Sequence, residues 1–146
     1  MAKNILADKI LIIDFGSQYT QLIARRVREL GVYCEIYSHQ SNIKSIKDFD
    51  AKGIILSGGP ETVKQKGSPK VPNGIFDLDI PILGICYGMQ TITKQLGGLV
   101  ELARKREFGH ADLKISNQGG GLFKDIKDKT TSVWMSHGDH VTKLPK

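Results

Sequence analysis

Short apolar segments typical of strands alternate along the chain with segments of helical spacing. A continuous apolar run such as residues 10–13 is typical of a strand buried on both faces of a sheet. The predicted strands are residues 10–13, 32–37, 53–56 and 81–85. This alternation predicts a doubly wound α/β fold of flavodoxin-like type, with a mostly parallel sheet and helices on both faces.

Three helices are predicted between or after these strands. The first begins at Ser17 as N-cap and ends at Gly31, and the third begins after Cys86 and ends at Gly97. The apolar positions are Tyr19, Leu22, Ile23, Val27 and Leu30 in the first helix, Ile43, Ile46 and Phe49 in the second, and Met89, Ile92 and Leu96 in the third.

Beyond Gly97 and Gly98 the pattern changes to shorter strands. They are predicted at residues 99–103, 111–115 and 132–135, with a glycine loop at 119–121. No internal repeat and no linker divides the sequence. We therefore expect residues 1–146 to form one domain.

Composition excludes several classes of protein. The net charge is +6, but basic residues are dispersed without an aromatic stripe, so no nucleic-acid partner is expected. No apolar run approaches the roughly 20 residues that span a bilayer, and no signal peptide is evident, so a cytoplasmic location is the expectation. The two cysteines form no paired motif, and His137 and His140 with Asp139 are a weak metal signal, so no metal is expected.

The strongest chemical signal is the stretch from Gly84 to Gly88, which has the form Gly-x-Cys-x-Gly and follows a predicted buried strand. Such a stretch predicts a nucleophile elbow, a sharp strand-to-helix turn that exposes Cys86. The unpaired N–H groups and the positive end of the following helix would favour the thiolate. A structural alternative is a buried cysteine on a glycine-rich turn.

A second glycine motif, Ser57-Gly58-Gly59-Pro60, ends a neighbouring predicted strand. Two glycines leave backbone N–H groups free to face a cavity. With the N–H of Tyr87, just after the nucleophile, they would suit an oxyanion hole for an attacked carbonyl.

Five stretches resemble class I glutamine amidotransferase domains, and within that class those of the GMP synthase family. The resemblance covers nearly the whole chain from about Lys9, and the first and last stretches are the most specific to GMP synthases. The stretches are residues 13–21 (IDFGSQYTQ), 54–61 (IILSGGPE), 84–90 (GICYGMQ), 106–109 (REFG) and 133–139 (VWMSHGD).

The resemblance implies a reaction and a set of residues. A cysteine attacks the side-chain amide of glutamine, ammonia leaves, and water frees glutamate from the thioester. A synthetase domain then uses the ammonia and ATP to aminate XMP to GMP. By motif, Cys86 is the nucleophile, and Gly59 and Tyr87 are the oxyanion donors. The implied glutamine-binding residues are Ser57, Gly58, Gln90, Ser136 and His137.

The sequence also departs from the family pattern. A Phe-His-Pro-Glu motif, which would supply the catalytic histidine and glutamate, and the ATP-pyrophosphatase (synthetase) domain do not follow Lys146. We therefore expect a partial domain with little or no activity alone. No cofactor is expected here; ATP and magnesium belong to the synthetase domain. The full-length family also implies a possible homodimer.

Two other interpretations remain open at this stage. The chain could be a binding or regulatory module that docks a synthetase partner without hydrolysing glutamine. It could instead belong to another α/β family with a cysteine elbow. Such proteins place an acidic residue near the thiol, and Asp14 is a poor candidate because its neighbours match the amidotransferase pattern.

Overall fold

The computed structural model describes residue 4, residues 6–116 and residues 120–146. The chain divides into two compact units, each described by itself below. The first comprises Met1–Leu102 with Asp139–Lys146, and the second comprises Ala103–Gly138.

The first unit is built on four parallel strands in the order β2-β1-β3-β4. Ile13 of β1 lies opposite Leu56 of β3, and Leu56 lies opposite Gly84 of β4. The strands are β1 (Lys9–Asp14), β2 (Tyr33–Ser38), β3 (Gly53–Leu56) and β4 (Ile82–Gly84). The parallel sheet predicted from the apolar runs is confirmed, with strand ends shifted by at most one residue.

The continuous apolar run of β1 reflects burial on both faces of the sheet. Leu11 and Ile13 belong to the larger core cluster, whereas Ile12 belongs to a smaller cluster on the opposite face. The larger cluster includes Ile46 and Phe49 of the second helix, and the smaller one includes Ala24 of the first. The prediction of helices on both faces is therefore confirmed.

Helix α1 (Thr20–Glu29) starts later than predicted. Tyr19, not Ser17, is the N-cap residue, and its side chain makes no capping hydrogen bond. The Ser17 hydroxyl accepts the N–H of Tyr19 at 3.0 Å, so it closes a turn ahead of the helix.

The apolar stripe predicted for α1 is wrong in part. Tyr19, Leu22 and Leu30 are exposed, while Thr20 and Ala24 are fully buried. Ile23 and Val27 do pack against the smaller core cluster. The small side chains at 20 and 24 allow the helix to approach the sheet closely, which turns the larger residues at the flanks outward.

The other two helices match their predicted positions. Helix α2 (Ile43–Phe49) is capped by Asn42, whose side-chain oxygen accepts the N–H of Ser45 at 2.8 Å. Helix α3 (Tyr87–Gln95) begins directly after Cys86. A 3₁₀ turn, Ile75–Asp77, lies between β3 and β4 and buries Ile75.

Two long strands follow, β5 (Leu99–Lys114) and β6 (Thr130–Lys143), which pair with each other. The prediction of separate strands at 99–103 and 111–115 is wrong, because β5 runs through Gly109, which has φ +116°. Strand β6 likewise extends well beyond 132–135. Of the predicted glycine loop, residue 119 lies outside the described residues, and 120–121 form part of a 3₁₀ turn, Gly120–Phe123.

No helix within the described ranges is both long enough and apolar enough to cross a membrane.

Candidate active site

Cys86 occupies a strained backbone position between a strand and a helix. Its φ is 51° and its ψ is −113°, a conformation that non-glycine residues rarely adopt. Strand β4 ends two residues before it and α3 begins one residue after it. The sharp turn predicted at this cysteine is therefore present.

The glycines on either side allow the turn to pack tightly. A methyl group on Gly84 would lie 2.7 Å from the backbone nitrogen of Met89. A methyl group on Gly88 would overlap the carbonyl oxygen of Leu56, at the end of β3. Side chains larger than hydrogen are excluded at both positions, which explains the spacing Gly-x-Cys-x-Gly.

Two backbone hydrogen bonds join this turn to the end of β3. Ile85 donates its N–H to the carbonyl oxygen of Leu56 at 2.9 Å, and Gly88 donates to that of Ser57 at 3.0 Å. They bring Gly58 beside the nucleophile, since a methyl group on Gly58 would lie 3.7 Å from the Cβ of Cys86. The structure thus brings together the two glycine motifs found in the sequence.

The backbone N–H groups proposed as oxyanion donors have no acceptor among the described residues. Neither Gly59 nor Tyr87 donates its N–H to any residue that the structure describes. A methyl group on Gly59 would lie 2.6 Å from the carbonyl oxygen of Phe15, so only glycine fits there. Free backbone N–H groups are donors of the kind that can stabilise charge on an attacked carbonyl oxygen.

The thiol of Cys86 is only partly exposed, and burial raises its pKa. The expectation that the helix N-terminus would favour the thiolate is therefore wrong in its net direction. Within the described part of the chain, no side chain forms a hydrogen bond with this sulphur. At neutral pH the thiol consequently needs a base to remove its proton before it can attack.

The side chain of Ser57 has structural partners. It is fully buried; its hydroxyl oxygen lies 3.0 Å from that of Thr20 and 3.1 Å from the carbonyl oxygen of Gly58, and its one hydrogen can be donated to either. The carboxylate of Asp14, which only accepts, takes the one hydroxyl hydrogen of Thr20 at 2.8 Å. Asp14 also accepts the N–H of Gly16 at 2.9 Å, as expected for the turn after β1. This network holds the ends of β1 and β3 together.

Gln90 lies one turn into α3 and is 3% exposed. Its side-chain Nε2 donates to the backbone carbonyl oxygen of Asp139 at 3.0 Å. The carboxylate of Asp139 accepts the hydroxyl of Thr62 at 2.5 Å. The sequence analysis missed Thr62 and did not connect Asp139 with Gln90, because partners so far apart along the chain leave no local pattern.

Helix α3 also holds the loop at residues 61–73. The hydroxyl of Tyr87 donates to the carbonyl oxygen of Pro69 at 2.5 Å, and Gln95 accepts the N–H of Val71 at 2.8 Å. Lys94 donates to the carbonyl oxygen of Val63. The residue that follows the nucleophile is thereby attached to this loop.

A separate groove of about 630 Å³ lies between residues 39–43 and residues 67–73. Cys86 is not among the residues that line it. His39, at one side of this groove, stacks on Phe15 with ring centroids 5.8 Å apart. The groove and the elbow are therefore distinct features of the first unit.

Ser136 and His137 lie on β6 in the second unit, where Ser136 is exposed and His137 is partly buried. The Nδ1 atom of His137 is buried and has no partner among the described residues. Their role in binding glutamine stays a prediction. No group of three His, Cys, Asp or Glu residues converges as a metal site in the described ranges.

Comparison with known proteins identifies the family. Residues 11–146 match the model of the glutamine amidotransferase class-I family. The chain is 54% identical over 153 residues to GMP synthase [glutamine-hydrolyzing] of Hahella chejuensis and 56% identical over 145 residues to that of Vibrio cholerae. These alignments cover 100% and 99% of this chain but 29% and 28% of the relatives.

Solved structures agree with this assignment. A crystal structure ascribed to a GMP synthase component of Thermoplasma acidophilum superimposes with a TM-score of 0.75 at 34% identity. The match covers 95% of this chain and 69% of that one. A glutamine amidotransferase from Methylobacillus flagellatus, with a TM-score of 0.61 at 14% identity, shares the fold.

Proposed function

Because this chain belongs to the class-I glutamine amidotransferase family, we propose that Cys86 is the nucleophile of a glutamine-hydrolysing site. The observation that carries the proposal is the strained Cys86 turn joined to the Gly58-Gly59 loop. A nucleophile must stand next to donors that can receive the developing negative charge.

The reaction has two halves. The sulphur bonds to the side-chain carbonyl carbon of glutamine, while the N–H groups of Gly59 and Tyr87 stabilise charge on its oxygen. The carbon–nitrogen bond breaks once the nitrogen has gained the thiol proton, and ammonia leaves. Water then adds to the thioester, the carbon–sulphur bond breaks, glutamate departs and the sulphur regains a proton. No cofactor takes part in these steps.

The raised pKa of the Cys86 thiol lowers the rate expected for its attack. Because no described side chain takes its proton, we expect slow attack in this chain alone. Loss of a catalytic base typically costs several orders of magnitude in rate (about 10⁴-fold or more). We therefore propose that the chain by itself has little glutaminase activity.

The ammonia released from glutamine would be used in an amination reaction. The chain spans 28–29% of the length of the GMP synthases that it matches. We propose that a synthetase domain, which uses ATP and magnesium to aminate XMP to GMP, is its functional partner. An alternative role, favoured by the raised pKa of the Cys86 thiol, is that of an inactive module that docks this partner.

Covalent labelling tests the glutaminase proposal. Incubation with a diazo-ketone analogue of glutamine should slowly add one label at Cys86, detected by intact-protein and peptide mass spectrometry. Free glutamine should protect, Cys86→Ala should abolish the adduct, and Cys34→Ser should retain it. A protein that reacts with iodoacetamide at Cys86 but never with the analogue would contradict the glutamine site. Rapid labelling at neutral pH would contradict the slow attack.

A binding experiment tests the docking alternative. Sedimentation of the chain with a separately produced GMP synthase synthetase domain should show a complex that Cys86→Ala does not weaken. Independent sedimentation of the two proteins at micromolar concentrations would reject this role.

A further inference from the structure

The orientation of the Gln90 amide is determined by its partner. A backbone carbonyl oxygen only accepts hydrogen bonds, so the group that faces Asp139 must be the NH₂ of Gln90. The side-chain oxygen of Gln90 therefore points away from the carbonyl group of Asp139. Within the described residues no donor contacts that oxygen. Gln90 is thus left with one free acceptor.

Asp139 is itself held in place by its side chain. Its carboxylate is buried, with the residue 5% exposed, and it accepts the hydroxyl of Thr62. That hydroxyl oxygen also accepts the N–H of Lys64 at 3.2 Å, which orients the hydroxyl hydrogen towards Asp139. A hydrogen bond to a carboxylate is stronger than one between neutral groups. Three consecutive hydrogen bonds thus run from residue 64 to the amide of Gln90.

Gln90 is also placed next to the nucleophile. Its backbone N–H donates to the carbonyl oxygen of Cys86 at 3.1 Å, four residues earlier. The backbone of Gln90 is therefore bonded directly to that of the nucleophile, one turn into α3.

We propose that Thr62 and Asp139 are positioning residues that lock the Gln90 amide with its oxygen offered to the ligand. This inference rests on the proposed glutaminase function, in which Gln90 contacts glutamine, and deepens it by naming the two residues that fix the orientation of the Gln90 amide.

Two matched variants of the full chain test the proposal. Thr62→Val removes the hydroxyl but keeps the shape, whereas Thr62→Ser keeps the hydroxyl. Labelling of Cys86 by the diazo-ketone analogue of glutamine is followed against its concentration. We expect Thr62→Val to raise the half-maximal concentration about tenfold, as the loss of one ligand hydrogen bond would, and Thr62→Ser to restore the wild-type value.

Two further readouts separate positioning from general damage. Iodoacetamide, which is not an analogue of glutamine, should label Cys86 at the same rate in all three proteins. The side-chain amide signal of Gln90 in NMR, assigned by its loss in Gln90→Met, should exchange with solvent slowly in wild type and Thr62→Ser and fast in Thr62→Val.

The outcomes are distinct. An unchanged Gln90 exchange rate in Thr62→Val, or an unchanged half-maximal concentration, overturns the positioning role, as does an equal slowing with iodoacetamide. If the analogue fails to label even the wild type, the proposed function fails, and the Gln90 exchange rates alone then decide whether Thr62 holds the amide.

Discussion

The carbonyl oxygen of Ser57 accepts the backbone N–H of Gly88 at 3.0 Å, so the loop after β3 is bonded directly to the first turn of α3. Ser57 and Gly88 belong to two motifs that lie far apart in the sequence. Their bond places the nucleophile turn and the glycine loop at one edge of the sheet, where ligands of open parallel sheets bind.

The first prediction concerns the space at Gly88. Gly88→Ala should lower the free energy of unfolding by about 1–3 kcal/mol, because the new methyl group would overlap the carbonyl oxygen of Leu56. Urea denaturation followed by circular dichroism measures it. Gly121→Ala, where no atom lies within 4 Å, is the matched control and should change stability by less than about 0.5 kcal/mol. Equal stability of the two variants would refute the tight contact.

The second prediction concerns the pH dependence of the thiol. Burial raises the pKa of Cys86 in the folded chain, whereas the unfolded chain has an ordinary thiol pKa. The rate of carboxamidomethylation in a Cys34→Ser background should therefore titrate at higher pH in the native protein than in urea. A native midpoint at or below the unfolded one would show that the helix N-terminus dominates.

The same shift predicts a change in stability with pH. A raised pKa in the folded state means that the unfolded chain loses its thiol proton first. The contribution of Cys86 to stability is thus complete below the unfolded pKa and is lost as pH rises through the folded pKa. The free energy of unfolding of the wild type, relative to that of Cys86→Ala, should therefore fall on going to alkaline pH. A constant difference between them would contradict the linkage.

The fourth prediction concerns the buried hydroxyl of Ser57. Ser57→Ala should destabilise the chain by about 1–3 kcal/mol, since it removes the hydroxyl that is hydrogen-bonded to Thr20 and that accepts the N–H of Phe15. A double-mutant cycle with Thr20→Val should give a coupling of about 1 kcal/mol. If the two substitutions had additive effects on the free energy of unfolding, the interaction between the two hydroxyl groups would contribute nothing to stability.

The last prediction concerns the N-cap of α2. Asn42→Ala should cost about 1 kcal/mol, because the N–H of Ser45 loses its acceptor, while Asn42→Asp should cost little. Thermal unfolding of the three proteins measures both changes. If Ala and Asp at this position were equally destabilising, the capping bond would not be the cause.

The sequence predicted those features that depend on local pattern. The limits of β3 and the turn at Cys86 follow from an apolar run and from glycine spacing, which are local steric requirements. The face of α1 was predicted poorly, because the small buried residues Thr20 and Ala24 carry a weak hydrophobic signal. The continuity of β5 through Gly109 depends on pairing with β6, which no local window contains.

The candidate site divides in the same way. Cys86 and its two glycine neighbours could be found from spacing, whereas the direction of its pKa shift could not, since burial depends on the folded surroundings. The bonds from Gln90 to Asp139 and from Asp139 to Thr62 join three separate parts of the chain. Such pairs of residues can be recognised only in the folded structure.

Tyr87 has its main chain at the elbow and its hydroxyl on Pro69. The aromatic ring of Tyr87 therefore links the loop at 61–73 to the turn that carries the reactive sulphur. Changes to that loop are therefore expected to reach the reactive centre, although no described residue of the loop is hydrogen-bonded to the thiol. Tyr87→Phe would remove the hydroxyl link to Pro69 and leave the ring in place.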